Sequence, residues 1–361
     1  MPPVRLRGHV LPGGDVRDVY VVDGHITFEE PNGGAETVVD GGWLTPGLVD
    51  AHAHLPLWSP AGDDASEGDR IRASAQAQLD AGVLLLREPG APSHGSLAIA
   101  DDNSLPALVT AGQFIAPPGR YVPGFARETH PDDLERAVAE EAAASGAWVK
   151  LIGDWFEPGG RIEPNWTAGE LRRAVATAHA AGARVAVHAS CPEAIADAVD
   201  AGVDSIEHGT GMPLEVLSTM ASQGTVFTPT MSIIPPLRGF LKALAPDAYD
   251  TVMAQLDDHS RLVAAAADAG VTLLAGTDAG MVPHGVVADE IGLLLAAGVA
   301  PDIALGAGSW SARTYLGYPG IEEGAPADIV VFAVDPRLAA ENLKRRVLVM
   351  RHGVIHPERV E

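Results

Sequence analysis

Apolar runs of four or five residues alternate along the middle of the chain with longer stretches whose apolar positions recur every three or four residues. The short runs predict strands at Gly47–Ala51, Val83–Leu86, Pro106–Thr110, Trp148–Ile152, Arg184–Val187, Asp204–Glu207, Thr225–Thr228 and Thr272–Ala275. The stretches between them predict helices over Asp69–Ala81, Pro131–Ser145, Thr167–Ala181, Pro192–Ala201, Pro213–Gln223 and Ala248–Ala269. Several helices open on Pro and several close on Ala-Gly, at Gly82, Gly182, Gly202 and Gly270, as helix starts and stops favour. Uniformly apolar strands in such alternation imply a parallel sheet covered by helices. Eight units over roughly 270 residues match a (β/α)₈ TIM barrel, for which about 250 is typical. A doubly wound sheet would want a Gly-rich phosphate turn after its first strand, and none is present.

The two ends carry a different pattern. Val19–Val22, Asp23-Gly24 and His25–Phe28 form a hairpin signal. Ala327–Phe332, Val347–Met350 and His352–Ile355 also read as short strands. The termini are therefore expected to meet in one small sheet domain.

Composition narrows the function classes. With 24 Lys+Arg against 48 Asp+Glu, the formal charge is −24, which repels phosphate backbones and anionic lipid. Neither nucleic-acid nor membrane partners are expected. The single cysteine, Cys191, excludes an intrachain disulfide framework and fits a reducing compartment. The first residues lack an apolar signal core, and no run approaches a membrane span. The expectation is a cytoplasmic protein acting on a small molecule, with association into a homo-oligomer left open.

Polar residues cluster where the predicted strands end, the positions that converge on one face of a barrel. Strand one ends in His52-Ala53-His54, whose period-two spacing points both imidazoles to one side. Lys150 lies inside the apolar Trp148–Ile152, His188 follows Val187, His208 follows Glu207, and Asp278 follows Thr277. Each has a plain structural reading: hydrogen-bonded histidines, a buried ion pair for Lys150, a loop cap for Asp278. Yet the chain has only three lysines, and burying this ammonium is costly. A lysine of lowered pKa could react with carbon dioxide to give a carbamate able to bridge two cations. Taken together the five strand ends point to a metal site.

These stretches resemble the metal-dependent amidohydrolase superfamily, in its imidazolonepropionase-like and prolidase-like branch. The resemblance rests on Leu44–His54, Val149-Lys150-Leu151, Val187-His188-Ala189, Ala201–Thr210, Thr228-Pro229-Thr230, Ala275–Gly280 and Gly324–Val330, and spans nearly the whole chain. It implies a (β/α)₈ barrel over residues 45–316, with a small β-sandwich built from residues 1–44 and 317–361. It further implies that His52, His54 and Asp278 hold the more buried ion, and His188 and His208 the other. Lys150, carboxylated by carbon dioxide, would bridge two divalent ions, zinc being the first choice. A metal-bridging hydroxide would attack the scissile carbonyl, with Asp278 taking and returning the proton.

Within the superfamily, deaminase-type members usually lack the strand-four lysine and carry an acid where this chain has Cys191; imidazolonepropionases proper also lack that lysine. Hydrolysis of a dipeptide or N-acyl amino acid is the leading expectation. A lactone or ester hydrolase using the same groups is the alternative, and a non-catalytic binding barrel the rival from another class. One departure is that Ala116–Phe125 replaces the Gly-Gly-His-Gly loop common after strand three. Arg120 and Tyr121 in that segment, Trp155 after strand four and His284 after Asp278 are candidate substrate contacts. Glu207 is expected to orient His208 or its strand.

Overall fold

The computed structural model describes residues 2–157, 160–244 and 246–356. Among these, the terminal segments pair in one seven-stranded mixed sheet. Its order is Val354–His356, Arg346–Arg351, Ile329–Phe332, Glu36–Pro46, Val4–Val10, Asp15–Val22 and His25–Thr27. The expected hairpin forms, with Asp23 and Gly24 at φ 49° and 82°, the left-handed pair that matches strand twist. Strand Ile329–Phe332 joins two packing regions by its alternation. Ile329 and Val331 pack within the terminal sheet's own core, whereas Val330 and Phe332 enter the large central one.

The central strands are parallel. Leu48–Asp50, Val83–Glu88 and Ala107–Thr110 form one sheet. Val226–Thr228, Ser205–His208, Arg184–Ala189, Trp148–Ile152, Phe114–Ala116 and Ala126–Glu128 form another in that order. The third expected strand, Pro106–Thr110, forms over Ala107–Thr110; after a turn at Gly112 (φ 70°) a further strand that was not expected, Phe114–Ala116, joins the other sheet. The eighth, Thr272–Ala275, is not a continuous strand. Its backbone nevertheless bonds on both sides, Phe227 N to Thr272 O at 2.9 Å and Ala51 N to Ala275 O at 2.8 Å. Ala91 N to Gly112 O, at 2.9 Å, connects the two central sheets elsewhere.

Helices cover these strands. Pro192–Ala201 and Glu67–Asp80 lie where expected, and Ala168–Ala180 is capped by a reciprocal Thr167/Glu170 box. The unexpected helix Ile234–Leu244 begins with Pro235-Pro236, whose missing N–H groups cost nothing in a first turn. No helix among the described residues is long and apolar enough to cross a membrane.

Phe332 is fully buried between the terminal sheet and the central core. Phe332→Ala is expected to lower unfolding stability by about 3–5 kcal/mol, read as a fall in the urea midpoint; an unchanged midpoint would refute this account of the junction.

Candidate metal centre

Asp50 begins the assembly. It is fully buried and accepts from His52 N (3.2 Å), Thr277 N (3.1 Å), Thr277 Oγ1 (2.6 Å) and Gln78 Nε2 (2.9 Å). Thr277, 227 positions further along the chain, is thereby tied to the carboxylate of Asp50. Backbone bonds finish the splice: Asp278 N to His52 O and His54 N to Ala279 O, both 2.7 Å. Asp278 is thus brought beside the His-x-His pair.

The imidazoles are pinned from behind. His52 Nδ1 donates to Glu207 Oε2 at 2.7 Å and His54 Nδ1 to Gly90 O at 2.7 Å. Gly90 presents that carbonyl at φ 111°, where a Cβ would sit 2.7 Å from Phe114. His208 Nδ1 meets Thr230 Oγ1 at 2.8 Å. A carboxylate and a carbonyl only accept, so Nδ1 of His52 and His54 carries the proton and Nε2 presents its lone pair forward. Burial pushes His52 down to about 4 and His208 to about 3, and lowers His188 well below the usual range. Neutral imidazoles are what ligation requires.

The forward nitrogens converge. Ring centroids lie 5.0 Å apart for His52–His54, 4.9 Å for His52–His208 and 4.6 Å for His188–His208. Ligand atoms of His52, His208 and Asp278 all fall within 4.8 Å of one another. Asp278 Oδ1 stands 3.1 Å from His54 Nε2 and 3.6 Å from His52 Nε2. With Nδ1 of each ring protonated, an anion thus faces two lone pairs, and a cation is the natural occupant between such groups. The donor set therefore fits divalent metal.

Lys150 Nζ lies at the same place, fully buried and without a hydrogen-bond partner. Burial lowers it to about 8, with Glu207 pulling upward and Arg87 downward. Three non-glycine residues here, His208, Thr230 and Asp278, have φ of 66°, 47° and 56°, a conformation disfavoured for side-chain-bearing residues. His208's turn breaks strand alternation, so the consecutive residues Glu207 and His208 both face inward.

The expectation for Glu207 needs correction: it orients His52, not His208. Its carboxylate also takes Arg87 Nη2 at 2.8 Å to both oxygens and Ser205 Oγ at 2.5 Å. Arg87 and Glu207 are both fully buried, and Arg87 holds Glu207 ionised against the cost of burial.

Beside these groups opens a cavity of about 220 Å³, walled by Phe114, Tyr121, Phe125, Trp155, Phe156 and further apolar side chains of the helices Ile234–Leu244 and Tyr249–Asp268. Tyr121 and Trp155 are in this wall, their rings 4.7 Å apart. Arg120 is not; its guanidinium is bonded to Asn165, Glu157 and the carbonyls of Trp155 and Glu163, where it braces the hairpin Asp154–Phe156/Ile162–Pro164. His284 is not on the wall either; Nε2 donates to Leu57 O at 3.2 Å. Asp154, not singled out in the sequence, is on it. Burial raises it to about 6, Oδ2 accepts from Ser190 N and Cys191 N, and Oδ1 lies 3.8 Å from His188 Nε2. The apolar spacing of Ile233, Ile234, Leu237 and Leu241 signalled the missed helical wall.

Comparison with known proteins accords with this geometry. The amidohydrolase family profile matches residues 43–355, and the chain belongs to that family, hydrolases acting on carbon–nitrogen bonds. An uncharacterized protein of Mycobacterium tuberculosis is 40% identical over 357 residues, covering 97% of this chain and 95% of its own. Among solved structures, a Xaa-Pro dipeptidase with bound methionine is 21% identical with a TM-score of 0.84, covering 98% of this chain and 99% of that one. Aspergillus niger ochratoxinase is 19% identical with a TM-score of 0.80, covering 98% and 95%.

Removing one member of the buried pair leaves an uncompensated charge. Arg87→Met is expected to cost about 3–5 kcal/mol, measured by urea unfolding, and adding Glu207→Gln to recover part of it. Equal stability of Arg87→Met and the parent would contradict the role assigned to Arg87.

Proposed function

We propose that this chain is a binuclear metal-dependent hydrolase of small amides, built on a closed (β/α)₈ barrel over residues 45–316. The hydrogen bonds that flank Thr272–Ala275 on both sides support ring closure, and residues 1–44 and 317–361 would form the appended β-sandwich unit. His52, His54 and Asp278 would hold the more buried ion, His188 and His208 the more exposed one, and carboxylated Lys150 would bridge them. The observation that carries this reading is Lys150 Nζ, buried and unpartnered among four imidazoles and Asp278. Carboxylation would turn that amine into an anionic oxygen donor suited to two bound cations.

Two divalent ions, zinc first among candidates for imidazole and carboxylate donors, would supply a water of lowered pKa and polarise the scissile carbonyl. The chain's own work is proton handling and orientation. Asp278 accepts the proton of the attacking water and delivers it to the leaving nitrogen, so that water's oxygen ends on the acyl carbon and the amine departs neutral. Glu207 and the Gly90 carbonyl fix the two imidazoles, and Thr230 fixes a third. The aromatic wall excludes bulk water from the reacting carbonyl. The acidic composition and lone cysteine fit a cytoplasmic enzyme with a small-molecule substrate.

Lys150→Ala is expected to lower the metal content from two ions per chain and to cut kcat/KM by at least about 10³-fold. Added acetate or propionate should restore part of the activity by standing in for the carbamate. Metal analysis beside a hydrolysis screen of amides and lactones checks this; full activity and full metal content in Lys150→Ala would overturn the bridging role.

A further inference from the structure

The cavity wall carries information on substrate charge. Dipeptides and N-acyl amino acids bring a free carboxylate, and a buried carboxylate needs a cationic or multiply donating partner. Among the described residues on this wall, the only amine or guanidinium is Lys150, which the proposed function commits to the metals. Arg120, the nearest candidate by sequence, spends its guanidinium on Asn165, Glu157 and two carbonyls. The donors left are hydroxyls such as those of Tyr121, Ser190 and Thr210.

The wall also presents a carboxylate of its own. Asp154 is 1% exposed, and its Oδ1 has no hydrogen-bond partner. Its orientation is fixed because Oδ2 is held by Ser190 N at 2.6 Å and Cys191 N at 2.7 Å. With Asp278 and Lys150 committed to the metals, an anion entering the apolar part of the cavity meets Asp154, and no guanidinium of the described wall offsets it. The rest of the wall includes Trp155, Phe156, Leu237, Leu241 and Leu256, surfaces that reward an aryl or branched alkyl group.

We infer that the substrate is a neutral amide, carrying a bulky apolar group and no carboxylate on either side of the scissile bond, and that Asp154 is the specificity-determining residue that rejects anions. This rests on the hydrolase reading and narrows its substrate class.

The test uses the full-length, metal-loaded protein at pH 8 with 3-phenylpropionyl anilide as the parent probe. Its analogues carry a para-carboxylate on either ring, with the matching carboxamides as size controls. Turnover is read as kcat/KM, and binding independently by quenching of tryptophan fluorescence. The carboxamides are expected to bind and turn over at least about 100-fold better than the carboxylates, the scale on which a site rejects a group it cannot pair. Asp154→Asn keeps an oxygen for the two backbone donors and removes the negative charge from the wall, so the gap should narrow about 10-fold. Carboxylates that bind or react as well as their carboxamides, or carboxamides that do not bind, overturn the inference. Carboxamides that bind in preference but are never hydrolysed uphold the neutral pocket and count against the hydrolase reading instead. The parent protein's carboxylate–carboxamide ratio decides the substrate class even if Asp154→Asn fails to fold.

Discussion

The centre of this molecule is organised around one buried anion. Glu207 has no access to water, yet it is held ionised by Arg87 and by its bond to His52 Nδ1. Arg87 in turn reaches Ala51 O at 2.6 Å and Thr228 Oγ1 at 3.0 Å, and lies 4.8 Å from the centroid of the Trp148 ring. One ion pair thereby fixes strands that are distant in sequence and sets the tautomer of a metal-ligand candidate. Such a pair brings little net stability, since desolvating two charges consumes most of their attraction. What it contributes is position: a single arrangement satisfies both charges.

The same division between cost and position recurs around it. Asp50 splices the first strand to the loop of Asp278, and three left-handed residues turn side chains inward that regular strands would turn away. The backbone cost is borne by a large core whose members are almost wholly buried. Strain of this kind survives where surrounding structure over-determines it. Above that polar floor the cavity turns apolar within a few ångströms, so electrostatic interactions at the floor act in a medium poorer in water than the surface.

Much of this was legible in the chain. The His52-Ala53-His54 spacing, the lysine inside an apolar run and the acid after Thr277 each follow from strand geometry, because strand ends in an alternating β/α chain share one face. The terminal hairpin was equally clear from Asp23-Gly24. Other elements were not. Helix Ile234–Leu244 hides behind Pro235-Pro236, which reads as a breaker until its place in the first turn is known. Thr272–Ala275 has the composition of a strand, but only one isolated bridge, Phe227 with Leu273, forms there. Arg120 looked like a substrate contact because its segment stands in place of the Gly-Gly-His-Gly loop, whereas its donors are taken by Asn165, Glu157 and the backbone.

Local pattern determined which residue types stand at strand ends, and composition the net negative charge, because both are read from the chain without its contacts. Tertiary structure alone decided which imidazole Glu207 grips, that Lys150 is left without a partner, and that Asp154 joins the cavity wall with one oxygen tied down and the other unpaired. Those outcomes depend on contacts between residues far apart in sequence and on left-handed backbone at His208 and Asp278, neither of which strand periodicity encodes.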